Sequence, residues 1–308
     1  TSSNSDDSVM MNYDYEIALS SSFTGNDSLD VVLNAGKSSI MPELDMTDTS
    51  SQLLVDTITY TKQLGDRVTV FFAEGDGSAG SALYNTACVY GAQADTFSNC
   101  GISAANIDED LGVALGANFD FGNGFTAALG YEGEGNTDGI STKESVDAIG
   151  GQIAYTGDVF GISLSWANIE NHTTDSAGVD TITTGSGDGQ TQSVGFNAYY
   201  TPDLPNFPSI SAGFETNHDD SELSDSDESS HYFIGLQWDE VGNGTFGAAV
   251  GSKAPYAENG DAETIYEVFY SYNYADGITI TPLIFVKENA AANTDDETGL
   301  ALITSFSF

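Results

Sequence analysis

The feature that most constrains the fold of this chain is a two-residue alternation of apolar and polar side chains that recurs from Met11 onward. In the last segment, large apolar residues share one face of a predicted strand: Leu300, Leu302, Phe306 and Phe308. Small and hydroxyl-bearing residues share the other face: Gly299, Ala301, Ser305 and Ser307. Because successive side chains of a strand point to opposite faces, one face suits lipid and the other suits water. This ending is typical of a transmembrane β-barrel.

About fifteen segments of this kind follow one another along the chain. Short turns, several of them containing Asn-Gly or Asp-Gly, alternate with longer loops, which is the usual arrangement of a barrel. Between Leu53 and Lys62 the alternation leaves the face assignment ambiguous. Since bacterial single-chain barrels have an even number of strands, we expect sixteen, with the first lying upstream of Thr1. The predicted fold is all-β: one transmembrane antiparallel barrel forming a single domain over residues 1–308.

The charge of the chain narrows its function. Asp and Glu number 47 against six Lys and Arg, which gives a formal net charge of −41 at pH 7. Nucleic acid is excluded as a binding partner because its phosphates would be repelled, and we expect the chain to attract cations instead. Adaptation of an acidic surface to salty surroundings explains the same charge equally well. No run of apolar residues is long enough for a transmembrane helix.

Two C-terminal segments, residues 266–274 and 276–286, and the closing Phe308 resemble the cyanobacterial outer-membrane porins of the Som family. Residues 22–29 and 64–70 are similar to the first hairpins of that family. The resemblance implies a carbohydrate-selective-porin-like homotrimer in the cell outer membrane, and some such proteins are described as iron-uptake porins. It also implies an N-terminal S-layer-homology domain that binds the peptidoglycan-linked wall. That domain is missing from this chain, so the tether is inferred.

The longest interruption of the alternation is the interval 75–109. With one strand preceding Thr1, this interval is the third external loop, which in sixteen-stranded porins folds into the barrel and narrows the channel. Its candidate constriction residues are Asp76, Asp95 and Asp108. Cys88 and Cys100 also lie within it, and we expect a disulfide between them in an oxidising envelope compartment, with two free thiols as the alternative.

The candidate pore-lining residues are the charged side chains that the alternation places on the inner face of the strands. The acids are Asp14, Glu16, Asp30, Glu132, Glu134 and Glu267; the bases are Arg67, Lys253 and Lys287. An excess of carboxylates along a low-dielectric wall attracts cations and repels anions, whereas any single acid could simply be solvated by a wet lumen. The bases would either set up a transverse field against acids of the loop or form structural ion pairs. The sequence leaves both alternatives open.

No arrangement of residues points to catalysis, a metal or a cofactor. The chain has no nucleophile elbow, no paired-cysteine metal motif and no phosphate-binding glycine loop. The acidic cluster 219–228 lacks the spacing of a calcium loop, and His172, His218 and His231 lack the spacing of metal ligands. We therefore predict no cofactor, no metal site and no enzyme activity.

The predicted function is that of an outer-membrane porin. Small hydrophilic solutes and inorganic ions would diffuse passively, with a weak preference for cations, through a homotrimer surrounded by outer-membrane lipid and lipopolysaccharide. An iron- or sugar-selective channel is the alternative in the same class. The alternative of another class is a secreted acidic β-rich adhesin or calcium-dependent surface protein, whose apolar strand faces would be buried against each other.

Overall fold

The computed structural model of the protein describes residues 11–37, 44, 46–108, 111–135, 139–142, 145–170, 189–220, 228–253, 255–257, 262–289 and 296–307. Of the residues singled out from the sequence, Thr1, His172, Phe308 and most of the cluster 219–228 lie outside these ranges. Among the described residues, no helix is long and apolar enough to cross a membrane.

The structure is built from β-strands. In chain order they are β1 Tyr13–Ser21, β2 Asp27–Lys37, β3 Leu54–Leu64, β4 Val68–Gly75, β5 Gly112–Gly122, β6 Phe125–Gly133, β7 Asp147–Thr156, β8 Phe160–Glu170, β9 Gln190–Tyr200, β10 Ser209–Asp219, β11 Glu228–Trp238, β12 Gly244–Ser252, β13 Tyr256–Ala257, β14 Thr264–Ala275, β15 Ile278–Lys287 and β16 Glu297–Phe306. Between β4 and β5 lie one α-helix, α1 Ala79–Leu83, and two 3-10 helices, Asp95–Cys100 and Ala104–Asn106.

Fifteen antiparallel strands form one continuous meander, in which each long strand pairs with the next along the chain. The short β13 pairs with β11 outside this path. Within the described residues, β1 is paired with β2 and β16 with β15. The all-β antiparallel fold predicted from the alternation is therefore confirmed, and its strands follow the predicted hairpin order.

The two faces of the sheet differ in the way the alternation predicts. On β8, the side chains of Phe160, Ile162, Leu164 and Trp166 are each between 44% and 48% exposed. The residues between them, Gly161, Ser163, Ser165 and Ala167, are buried. A long series of exposed large apolar residues would be unfavourable in water and suits lipid contact. The outer face is therefore apolar, and the inner face carries small and polar residues.

A bulge explains why the faces of β3 cannot be assigned from alternation alone. Val32 pairs with Thr57 and Leu33 pairs with Val55, so Asp56 is an extra residue in β3. An extra residue reverses the face of everything beyond it, because the side-chain period of a strand is two. Ile58 therefore shares the outer face, and the threonines on either side of it point inward.

The segment 76–108 packs against the inner face of the sheet, and we call it the infolded loop. Its contacts form two apolar clusters. In the first, Leu83 and Ile107 of the loop pack with Phe71 of β4 and alanines of β5 to β8. In the second, Tyr90 and Phe97 pack with aromatic and aliphatic residues of β11 to β15. The buried apolar core of the protein thus lies between wall and loop, inside the sheet.

Candidate channel constriction

The two ends of the infolded loop are fastened to each other. Ser78 caps α1 by accepting a hydrogen bond from the Ser81 backbone N–H at 3.2 Å, and its own hydroxyl donates to the Ile107 carbonyl at 2.9 Å. The backbones approach so closely here that a Cβ on Gly80 would lie 1.8 Å from the Asn106 carbonyl oxygen. Glycine is thus required at position 80, and the loop returns to β5 beside the point where it left β4.

Asp108 and the disulfide connect separate parts of the infolded loop. Cys88 and Cys100 are joined by a disulfide, with 5.8 Å between their Cα atoms. The Asp108 carboxylate accepts hydrogen bonds from the Ser81 hydroxyl and the Asn99 side-chain amide, each at 2.7 Å. Asp108 was expected to act as a constriction acid. In the structure it connects α1 to the 3-10 helix Asp95–Cys100.

Three buried glutamates bind the infolded loop to the wall. Glu132 on β6 accepts from the Ala79 backbone N–H at 2.7 Å, and Glu215 on β10 accepts from the Ala105 N–H at 2.8 Å. Glu267 on β14 accepts from the Ala94 N–H at 2.5 Å. All three side chains are 0% exposed. Hydrogen bonds between a carboxylate and backbone N–H groups are among the stronger ones, and these three hold the loop at separate points.

The burial of these glutamates corrects one expectation. Glu132 and Glu267 point inward as predicted, but the loop covers them, so they do not present charge to water in the lumen. Glu215 has the same role and was not among the candidates, although the alternation of β10 places it on the inner face. An isolated glutamate at an inward position of a strand, facing a sequence interval long enough to fold back, is the signal that could have found it.

Uncharged wall side chains bind the extended part of the loop. The backbone N–H groups of Ala87, Val89 and Gly91 donate to Ser163 on β8, Ser211 on β10 and Gln237 on β11: the distances are 3.0, 3.1 and 2.8 Å. Alternate residues of the loop thus meet wall strands in chain order, β8, β10 and then β11, as in an extended segment that lies across the sheet. The wall thus supplies acceptors for backbone donors along this extended part of the loop.

Two loop tyrosines accompany the buried glutamates. Burial, and then the neighbouring charge of Glu132, raises the pKa of Tyr84 well above its usual range. Burial likewise raises the pKa of Tyr90, and the adjacent Glu267, which accepts the Tyr90 hydroxyl at 2.9 Å, raises it further. Both phenols therefore stay protonated, and Tyr90 remains a hydrogen-bond donor to the wall.

The first three strands carry a different inner surface, which we call the acidic wall: Asp14, Glu16, Asp30 and Asp56. Glu16 pairs across the strands with Asn34, whose side-chain amide donates to Asp56 at 2.5 Å. Asp30 accepts from the Ser28 hydroxyl at 2.7 Å. Asp14 and Glu16 are exposed, and Asp30 and Asp56 are half-buried. Three of the predicted pore-lining acids therefore lie together on one part of the sheet.

The remaining candidates lie at the strand ends. Arg67 is exposed in the turn between β3 and β4, because β4 begins only at Val68. Glu134 and Lys253 each follow the last residue of a strand, so neither lines the middle of the wall. The loop acids Asp76 and Asp95 are exposed, at the exit from β4 and at the start of a 3-10 helix.

Two of the three candidate bases, Lys253 and Lys287, form ion pairs near their own strands. Lys287 on β15 meets Glu297 on β16 at 2.9 Å, and Lys253 meets Glu263 at 2.8 Å. Another ion pair joins Lys37 to Asp48, a residue outside the strands. The hydrogen bond from Lys37 is the main reason that the pKa of the Asp48 carboxyl lies below its usual value. Of the two alternatives for the bases, the structure favours structural ion pairs over a transverse field for Lys253 and Lys287.

Comparison with solved structures identifies the fold. Pseudomonas putida OprB has a TM-score of 0.69 at 12% identity, with 96% of this chain and 88% of that one covered. Salmonella typhi OmpF, in complex with daunomycin, has a TM-score of 0.63 at 11% identity, with 96% and 89% covered. A mutant of the Rh. blastica porin has a TM-score of 0.56 at 13% identity, with 96% and 90% covered.

These neighbours are bacterial outer-membrane porins, so the chain has the porin fold. No family model and no curated protein sequence matches the chain.

Proposed function

We propose that this protein is an outer-membrane porin through which small hydrophilic solutes and inorganic ions diffuse passively. The observation that carries the proposal is the two-sided wall: an apolar outer face around an inner face against which the infolded loop is packed. The water path would run between the infolded loop and the acidic wall. The loop would set its aperture, as the third external loop of a sixteen-stranded barrel, and the protein would be a passive channel without enzyme activity.

A preference for cations follows from the acidic wall. Asp14, Glu16, Asp30 and Asp56 share the inner face of β1 to β3, while Lys253 and Lys287 are engaged with glutamates elsewhere. Fixed carboxylates beside a low-dielectric wall raise the local cation concentration. Their field reaches roughly 8 Å at physiological ionic strength, which suffices to act across a narrow passage.

Planar-bilayer recordings test this function. A channel of the proposed kind inserts from detergent and gives stepwise ohmic currents. Under a salt gradient its reversal potential has the sign of cation preference. Anion preference would contradict the role given to the acidic wall, and an absence of channels from correctly folded protein would contradict the porin function itself.

The finer assignments rest on sequence resemblance. The segments 266–274 and 276–286 support membership of the cyanobacterial Som family, and with it a carbohydrate-selective or iron-selective channel. The same resemblance supports a homotrimer in contact with lipopolysaccharide and an N-terminal tether to the peptidoglycan-linked cell wall. Substituting sugars and ferric complexes for simple salts in the same recordings separates a selective channel from a general one.

A secreted adhesin is disfavoured by the outer face. An adhesin of stacked sheets would bury residues such as Leu164 and Leu302, which are 47% and 69% exposed. A requirement for detergent throughout purification is the simplest measurement that separates the two classes.

A further inference from the structure

We propose that β9 and β10 form a binding site for a hard cation of the Ca²⁺ class on the inner face of the sheet. The core of the site is the pair Ser193 and Asn217, and Asp219 and Thr191 complete the set of oxygen ligands. It lies toward the ends of the two strands that adjoin the longer loops. The site goes beyond the proposed function, because passive diffusion does not require it.

Two buried oxygen atoms carry the inference. Ser193 is 0% exposed and Asn217 is 7% exposed. Neither Ser193 Oγ nor Asn217 Oδ1 has a hydrogen-bond partner among the described residues. The two residues face each other directly across the β9–β10 ladder on the inner face, so their Cβ atoms lie about 5 Å apart. Since buried polar atoms are normally paired, two such oxygens side by side indicate a ligand.

The hydrogen bonds of the Asn217 amide fix which of its atoms faces that ligand. Its Nδ2 donates to Glu215 Oε1 at 3.3 Å and to Ser229 Oγ at 3.4 Å. Turning the amide over would place its oxygen against the Glu215 carboxylate, which is unfavourable because both groups are acceptors. Oδ1 is therefore the amide atom that remains for a ligand, and that ligand has to satisfy an acceptor.

The charge around the pair favours a cation over a water molecule. Alternation along β10 places Glu215, Asn217 and Asp219 on the same face, and Thr191 lies opposite Asp219. Strands β8 to β11 contain no Lys or Arg. A water molecule would donate to two of these oxygens, but it would not offset the carboxylates. A cation does both, and Ca²⁺ prefers carboxylate and amide oxygens.

The infolded loop closes one side of the site. Gly195 and Glu215 are the next inward-facing pair along the two strands. A Cβ on Gly195 would lie 2.6 Å from Ile102 and 3.0 Å from Ala105, so the loop rests directly on the wall here. On the other side Asp219 is only half-buried. A cation can therefore enter past Asp219 and reach the buried oxygens without displacing the loop.

The composition of the ligand set explains why the sequence shows no calcium motif. The ligands come from alternate positions of two paired strands, whereas a calcium loop supplies them from one continuous segment. In the part of the chain that the structure describes, no three Asp, Glu, His or Cys side chains come together. Neutral oxygens must therefore supply much of the coordination. Such a site resembles weak extracellular calcium sites, which bind at about 10⁻⁴ to 10⁻³ M.

The experiment measures the luminescence lifetime of Eu³⁺, a hard-cation probe for Ca²⁺ sites, bound to the full chain in detergent. Lifetimes in H2O and D2O count the water molecules that the ion retains. We expect the wild type to hold one Eu³⁺ population with fewer waters than ions on exposed acids, displaced by Ca²⁺ at about 10⁻⁴ to 10⁻³ M. Asn217→Ala should lose this population.

Asn168→Ala is the matched control. Asn168 adjoins Ala167, which lies opposite Ser193, but it points to the other face of β8. The same amide is removed at the same height of the sheet, so the shielded Eu³⁺ population should remain as in the wild type. Loss of that population in both variants would overturn the site.

A second variant keeps the test valid if Asn217→Ala fails to fold. Ser193→Ala removes only a hydroxyl that has no partner, so the chain should fold and bind Ca²⁺ several-fold more weakly. If the pair holds an ordered water only, Ser193→Ala keeps the wild-type Eu³⁺ population and Ca²⁺ affinity, and the inference is overturned. The same follows if every Eu³⁺ ion on the wild type is fully hydrated. Failure to form channels in bilayers would overturn the proposed function alone, because cation binding is measured without current.

Discussion

Two parts of the same inner surface use acidic residues in opposite ways. From β4 to β15 the infolded loop covers the wall, and Glu132, Glu215 and Glu267 are buried acceptors for its backbone N–H groups. On β1 to β3 the acids Asp14 and Glu16 are exposed. An inward carboxylate therefore serves attachment where a loop covers it, and we propose that it serves solute selection where water reaches it. The alternation of residues along a strand does not by itself distinguish these two roles.

The largest effect is expected where loop and wall approach most closely. Gly80→Ala would place a Cβ 1.8 Å from the Asn106 carbonyl oxygen. Backbone must then move, which should cost about 3 kcal/mol or more, the upper end of overpacking penalties. Gly91→Ala is the matched control in the same loop, because its nearest atom would be 3.5 Å away. Thermal unfolding followed by circular dichroism should show a clear loss for the first variant, and equal stability of the two would refute the close packing.

A somewhat smaller effect is expected from the disulfide. Replacing Cys88 and Cys100 by serine frees a segment with a sequence separation of 12. Loop-closure entropy then predicts a loss of about 2 to 3 kcal/mol in the stability of that segment. Limited proteolysis between the two positions measures it. Cleavage should accelerate in the double variant, whereas resistance equal to the wild type would mean that wall contacts alone hold the loop.

The next largest effect is expected on the ion selectivity of the channel. Glu16→Gln removes one charge from the acidic wall and is expected to lower the cation-to-anion permeability ratio about two- to threefold, equivalent to roughly 0.5 kcal/mol. Asp203→Asn, which removes an exposed acid from the turn after β9, is the control for net charge. A loss of selectivity of the same size in both variants would show that overall charge, rather than the acidic wall, attracts cations.

The smallest effect concerns salt. Screening shortens the reach of fixed charges from about 10 Å at 0.1 M to about 3 Å at 1 M. The cation preference should therefore decline as both bathing solutions are concentrated, while the position of the loop, held by buried groups, should not change. Reversal potentials at a constant concentration ratio measure the first and open-channel noise measures the second.

The alternation of the sequence predicts the strands and most of their faces because both follow from local geometry. It fails at β3, where the bulge at Asp56 depends on how β2 and β3 pair. It also fails for Arg67, which lies one residue before its strand begins. The burial of Glu132 and Glu267 depends on contacts 53 and 173 residues apart, and no periodicity carries that information.

The most direct test of the account asks which part of the inner surface water reaches. Single cysteines are introduced as Glu16→Cys on the acidic wall and Ser165→Cys on the covered wall, where Ser165 is 0% exposed and bonded to Asn106 of the loop. Because the natural cysteines are paired, they do not react. A charged thiol reagent added during bilayer recording should reduce the current of Glu16→Cys and leave Ser165→Cys unchanged. Block of Ser165→Cys with no effect on Glu16→Cys would contradict the proposed water path.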